Sequence, residues 1–228
     1  MRIVIALGGN ALLRRGERPD ADIQIARPAV TLVTQTVVDA DDPAFGIPTK
    51  YVGSGYPEDD ARKLALTNGW SVRPDGAQWR RVVPSPVPRR VVELDAAELL
   101  LRSGVTVILG GGGGVPVVED GGRLRGVEAV VDKDLTAALI ATELRADLLV
   151  MLTDVDAVYL DYGTPAQRPL RDVSTADLAA VTFSAGSMGP KVTAARRFAE
   201  GTKGRAAIGS LDDATAVIAG TAGTQIAP

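Results

Sequence analysis

Residues 131–159 read VDKDLTAALIATELRADLLVMLTDVDAVY, and the order of patterns within them sets the fold class. Asp132 is an N-cap residue type standing immediately before a run of helix formers that continues to Leu144. The segment DLLVML, 147–152, is apolar after its first residue and shows no polar alternation, as expected of a strand covered on both faces. It ends in the polar loop Thr153-Asp154-Val155-Asp156.

The same alternation of helix and buried strand extends outward from this stretch. Upstream, Glu93–Ser103 reads as a helix stopped by Gly104, followed by a buried strand VTVIL at 105–109 that runs into Gly110-Gly111-Gly112-Gly113-Gly114. EDGGRLRG then reads as a hairpin-like excursion. Downstream, Ser174 caps a short helix and Pro190 suits the first turn of a helix running to Glu200. RAAIGS is a strand, Asp212–Ala219 a helix and GTQIA a last strand. At the other end, Arg2–Leu7 is an apolar strand closed by Gly8-Gly9-Asn10, and Val30–Val38 is a second strand-like run. Apolar strands separated by helices predict an α/β protein whose mainly parallel sheet is covered on both faces.

Residues 40–89 break the rhythm. They hold both tryptophans, many prolines, a helical stretch from Glu58 to Asn68 and the turn signal Pro74-Asp75-Gly76 between short strand-like runs. We read 44–88 as a protruding lid subdomain of a single 228-residue domain, the alternative being an elaborated loop. Trp70 and Trp79 are assigned to the small core of that subdomain rather than to a stacking platform.

Composition narrows the chemistry. The chain has neither cysteine nor histidine, which removes disulfides, thiol nucleophiles, imidazole bases and the common zinc and iron–sulfur ligand sets. A net charge of −3 gives no footprint for nucleic acid or an anionic membrane, and no apolar run is long enough to span a bilayer. The first residues lack a signal-peptide pattern, so the cytoplasm is the expected location. Lys, Arg, Asp, Glu, hydroxyls and backbone amides remain, a set suited to phosphates and oxygen-ligated Mg²⁺. Only five lysines stand against twenty arginines. A lysine kept against that bias is read as a needed point charge.

Ligands of open parallel sheets bind beyond the carboxyl ends of the strands. Three loops fall there: Gly8-Gly9-Asn10, the five-glycine run, and Thr153–Asp156. Each glycine raises the cost of ordering by roughly 0.5–1 kcal/mol relative to alanine. Backbone approach to a phosphate chain would offset that cost, and a flexible surface loop is the competing explanation. Lys133, between Asp132 and Asp134 at a helix start, can aim an ammonium into a phosphate site, although a simple capping cluster has the same sequence. SAGSMGPK repeats the device with Lys191, and PTK places Lys50 at the root of the lid. Asp154 and Asp156 fit either a structural turn or a loop beside a base or ribose. Lys63 and Lys203 are assigned to solvated surface. These parts suit phosphoryl transfer without covalent catalysis.

In order along the chain, LGGNALL, TLVTQTVVDADDPAF, PTK, WRRVVPSPVPRRVVEL, GGGGVPVV, GVEAVVDKDLTAALIA, LLVMLTDVDAVYLDYGTP, FSAGSMGPKV and AAIGSLDDATAVIAGTAGTQI resemble the carbamate kinases of the amino acid kinase superfamily. The resemblance implies a three-layer αβα sandwich with a protruding subdomain, a homodimer, and reversible phosphoryl transfer between ATP-Mg²⁺ and carbamate. In cells it implies ATP formation from carbamoyl phosphate in arginine catabolism. It implies that Gly8, Gly9 and Asn10 hold the transferring phosphoryl, that Lys50, Lys133 and Lys191 stabilise its charge, and that Asp134 orients lysines or metal. It further implies that Gly111, Gly112, Gly113, Gly114, Asp154, Asp156, Tyr159, Met188 and Gly189 surround the nucleotide. One departure is large: between the first strand and Thr31 the family carries a helix, a second strand with a His-Gly-Asn-Gly-Pro loop and further helices, none of which is present. The acceptor side of the site is therefore expected to be half absent and turnover impaired. The alternatives are an inactive nucleotide-binding remnant and a superfamily kinase with another acceptor.

Overall fold

The computed structural model describes residues 1–7, 29–183 and 188–228. The elements run β1 (Ile3–Leu7), β2 (Ala29–Thr31), β3 (Gln35–Val38), β4 (Lys50–Tyr56), α1 (Glu58–Asn68), β5 (Ser71–Asp75), β6 (Gln78–Val83), β7 (Pro88–Val91), α2 (Leu94–Arg102) and β8 (Thr106–Ile108). They continue with β9 (Val115–Asp120), β10 (Arg123–Gly126), α3 (Lys133–Glu143), β11 (Leu148–Thr153), β12 (Val158–Leu160), β13 (Arg168–Leu170), β14 (Asp172–Ser174) and α4 (Thr175–Ala179). α5 (Met188–Thr202), β15 (Arg205–Ser210), α6 (Ala214–Ala219) and β16 (Thr224–Ala227) complete the chain.

The main sheet has the order β1-β11-β15-β16-β14. β1, β11 and β15 are parallel, with Ile5 opposite Val150 and Val150 opposite Ala207; β16 runs antiparallel to β15 and parallel to β14. Alternate residues of these strands point to opposite faces. Leu149, Met151, Ala206 and Ile208 pack against Ala138 and Ala141 of α3 and Val192, Ala194, Ala195 and Phe198 of α5. Leu148, Val150, Leu152 and Ala207 pack on the opposite face against Val217 and Ile218 of α6. Helix, sheet and helix therefore form three layers. The alanines of α3 and α5 permit close helix approach, which is how the layer closes with so few aromatic side chains.

Two sequence expectations are corrected. Val30–Val38 is not one strand: β2 pairs with β8, whereas β3 pairs with β7 and β9 in a second sheet of order β10-β9-β3-β7. The break lies at residues 32–34, where the Thr34 hydroxyl donates to the Leu32 carbonyl and accepts from the Gly110 N–H, while the Thr34 carbonyl accepts from Val115 N–H. Chain and glycine run thus cross from one sheet to the next side by side. The second correction concerns 105–109, expected to be buried. β8 is paired only with the three-residue β2 among the described residues, and Ile108 is 52% exposed. Ile5 and Leu7 of β1 are also 45% and 40% exposed, on the sheet face that α6 covers elsewhere.

β4, β6 and β5 form a separate antiparallel sheet with α1 against it. Arg62 lies over the Trp79 ring at 4.8 Å and Arg81 over Trp70 at 4.6 Å, so both tryptophans work inside this unit by cation–π stacking. Arg81 also pairs with Glu128 of the main body.

Candidate functional site

The site is assembled around the first turn of α3. Asp132 is its N-cap: one carboxylate oxygen accepts from the N–H groups of Asp134 at 2.9 Å and Leu135 at 3.3 Å. The other accepts from Lys50 Nζ at 2.8 Å, bringing the first residue of β4 to the helix start across 82 positions of sequence. Burial alone would raise the Asp132 pKa, but the Lys50 hydrogen bond and charge and the two backbone donors outweigh it, and the net shift is downward from 3.8. Asp134, one side of the same turn, is buried between two ammonium groups: Lys133 Nζ at 3.0 Å on one oxygen and Lys191 Nζ at 2.8 Å on the other. Two carboxylates two residues apart therefore hold all three candidate catalytic lysines.

The glycine run is fixed to this turn from below. The Gly113 carbonyl accepts from the hydroxyls of Thr36 at 2.8 Å and Thr136 at 3.1 Å. A Cβ on Gly113 would lie 2.1 Å from the Val131 carbonyl oxygen, and one on Gly114 would lie 2.3 Å from Thr36 Oγ1, both at positive φ. These two glycines are thus required by the chain's own close packing, an explanation that sequence reading did not weigh. Gly111 and Gly112 meet nothing within 4 Å and are exposed.

Beyond the carboxyl end of β11 lies a cavity of about 510 Å³. Asp154, Tyr159, Tyr162, Phe183, Met188 and Lys191 are among the residues that line it. Its volume suits a nucleotide-sized ligand. The predicted residues Asp154, Tyr159, Met188 and Lys191 meet there. Gly111–Gly114, Asp156 and Gly189 are not among the lining residues. Asp156 instead accepts from the Tyr159 hydroxyl at 2.6 Å and from Arg171 at 3.0 Å. The Tyr159 bond leads the causes that lower the Asp156 pKa, and the same bond raises that of Tyr159. Gly8, Gly9 and Asn10 lie outside the described residues. Sequence reading recognised Asp132 as the helix cap but not its pair with Lys50, 82 positions away, nor the Thr36 and Thr136 bonds to the Gly113 carbonyl, 77 and 23 positions away.

A mainly parallel three-layer sheet with lysines and a glycine loop at one helix start defines a phosphotransferase class, and comparisons with known proteins name it. The model of the amino acid kinase family matches residues 37–210, and the chain belongs to that family. Its relatives include the carbamate kinase of Pyrococcus horikoshii, 47% identical over 96% of this chain and 69% of that protein. The carbamate kinase of Haemophilus influenzae is 38% identical over 99% of this chain and 96% of that protein. Among solved structures, carbamate kinase from Giardia lamblia bound to AMP-PNP superposes with a TM-score of 0.87 at 31% identity, covering 99% of this chain and 98% of that one. The Haemophilus influenzae alignment runs over 299 positions against a chain of 228 residues. A long segment of that relative therefore has no counterpart here.

Proposed function

We propose that the chain is a carbamate kinase-type phosphotransferase, moving a phosphoryl group reversibly between ATP-Mg²⁺ and carbamate. In one direction a carbamate oxygen bonds to the γ-phosphorus as the bond to the ADP oxygen breaks; in the other, ADP takes the group from carbamoyl phosphate. The observation that carries this reading is Asp134, buried between Lys133 and Lys191, with Lys191 also lining the 510 Å³ cavity. A carboxylate that binds both ammonium groups fixes their positions, so they can face the dispersed negative charge of a transferring phosphoryl without reorganising. Lys50, anchored on Asp132, supplies the third charge from the lid, and Gly8, Gly9 and Asn10 are read as further holders of the transferring group.

The nucleotide is assigned to the cavity, with Asp154, Tyr159 and Met188 beside it. Gly111 and Gly112 offer open backbone toward the phosphates, on the strength of their exposure and positions at the α3 start. Among the described residues there is no group of three or more Asp or Glu side chains placed to hold a metal. Mg²⁺ is read as part of the nucleotide substrate, held chiefly by phosphate oxygens. No described helix is long and apolar enough to cross a membrane. We further propose a homodimer, a reading that static light scattering tests directly.

We read the long segment without a counterpart here as belonging to the acceptor side, which is then incomplete in this chain. The expected result with purified protein is ADP-Mg²⁺ binding by calorimetry together with weak ATP formation from carbamoyl phosphate. Absence of ADP binding, or a Lys191→Met variant as active as the parent, refutes the assignment of the site. Specific activity equal to that of a full-length relative refutes the incomplete acceptor side.

A further inference from the structure

The wall of the cavity formed by Tyr159 belongs to a short hairpin, β12 with β13, only three residues long on each side. Tyr159 stands opposite Pro169 at the middle of the three rungs, and a ladder this short carries few backbone bonds. The backbone alone therefore holds this wall weakly. Two side chains outside the cavity make up the difference. The Tyr159 hydroxyl donates to one oxygen of Asp156, and Arg171, just past the end of β13, donates to the other. Arg171 is itself tied to the main sheet, because its carbonyl accepts from the Gln225 N–H of β16 at 2.6 Å. The chain of contacts runs from the sheet through Arg171 and Asp156 to the phenol, and from the phenol's ring to Tyr162 at 6.0 Å.

We infer that Asp156 and Arg171 are positioning residues that act through Tyr159 to keep the nucleotide pocket open and correctly walled, without touching the nucleotide. This rests on the reading that the cavity takes the nucleotide. It revises the role of Asp156 from a direct contact to a support, and it gives Arg171 a role that neither the motifs nor the lining of the cavity indicate. An aromatic ring costs little to fix when its hydroxyl is held at a single acceptor, and a fixed ring loses less freedom when the ligand arrives.

The test is titration calorimetry of ADP-Mg²⁺ with the whole chain and its Asp156→Ala, Arg171→Gln and Tyr159→Phe variants, each checked by circular dichroism. The expected result is about 3–10-fold weaker binding for Asp156→Ala and for Tyr159→Phe, and a smaller loss for Arg171→Gln. The Asp156→Ala/Tyr159→Phe double variant should bind no more weakly than the worse single variant, because both changes break one link. Asp156→Ala with parental affinity, or penalties that multiply in the double variant, overturns the inference while leaving the cavity assignment standing. A parent chain that binds no ADP overturns both.

Discussion

Replacing Asp134 by alanine separates the energetics of the lysine cluster from its chemistry. The Lys191 side chain is 9% exposed and its ammonium lies 2.8 Å from Asp134, whereas Lys133 is 32% exposed and can turn to solvent. Removing one partner of a buried pair strands the other, at a cost of about 3–5 kcal/mol. Domains of this kind have about 5–15 kcal/mol in total, so a large fraction of the stability is at stake. With a urea slope of about 2 kcal/mol/M, the unfolding midpoint should fall by roughly 2 M. Lys191→Met leaves Asp134 still paired with Lys133 and fills the same volume with apolar atoms, so its midpoint should fall much less. Equilibrium urea unfolding followed by circular dichroism measures both. A midpoint for Asp134→Ala equal to the parent's, or a larger loss for Lys191→Met than for Asp134→Ala, refutes the reasoning.

Three further outcomes follow from the same geometry. Gly113→Ala should destabilise by about 2–5 kcal/mol, since a Cβ 2.1 Å from the Val131 oxygen at φ +105° combines backbone strain with overpacking. Gly111→Ala should leave the unfolding midpoint nearly unchanged, and urea titrations of the pair check the contrast. Asp132 has its pKa lowered in the fold, so its contribution is present above about 3.8 and is lost as pH falls through the lower folded value. In Lys50→Met the strongest cause lowering the Asp132 pKa is gone, so this acid-labile share of the stability shrinks: urea midpoints should differ most from the parent's near neutral pH and converge as pH falls below about 3.8. Thr36→Val should weaken the hold on the Gly113 carbonyl by about 1 kcal/mol in thermal unfolding, with Thr136 still donating to it.

Locally determined structure was legible in the sequence. Asp132 capping a helix to the neighbourhood of Leu144, the Ser174 capping box and the apolar run of β11 from Leu148 to Leu152 are all set by residues within a few positions of one another. The break in Val30–Val38 was not legible, because it is imposed by Gly110 and Val115, more than seventy positions away. The glycines at 113 and 114 were recognised as costly, but their explanation lies in Thr36 and Val131 as much as in any ligand. The lysines were picked by scarcity and motif; which carboxylate each would find was a question of tertiary packing. Exposure of Ile108, Ile5 and Leu7 likewise reflects what neighbours them in space, which no local pattern of apolar residues reveals.

The sharing of Asp132 between main chain and lysine makes the helix start observable from a distance. Its two oxygens serve different masters: one fixes the amides of Asp134 and Leu135, the other receives the ammonium at the head of β4. When Lys50 is drawn away by an anion, the carboxylate's electron density returns to those two amides, whose resonances should shift and whose exchange with solvent should slow. In an isotopically labelled sample, two backbone signals in α3 would thus report the engagement of a strand belonging to another sheet.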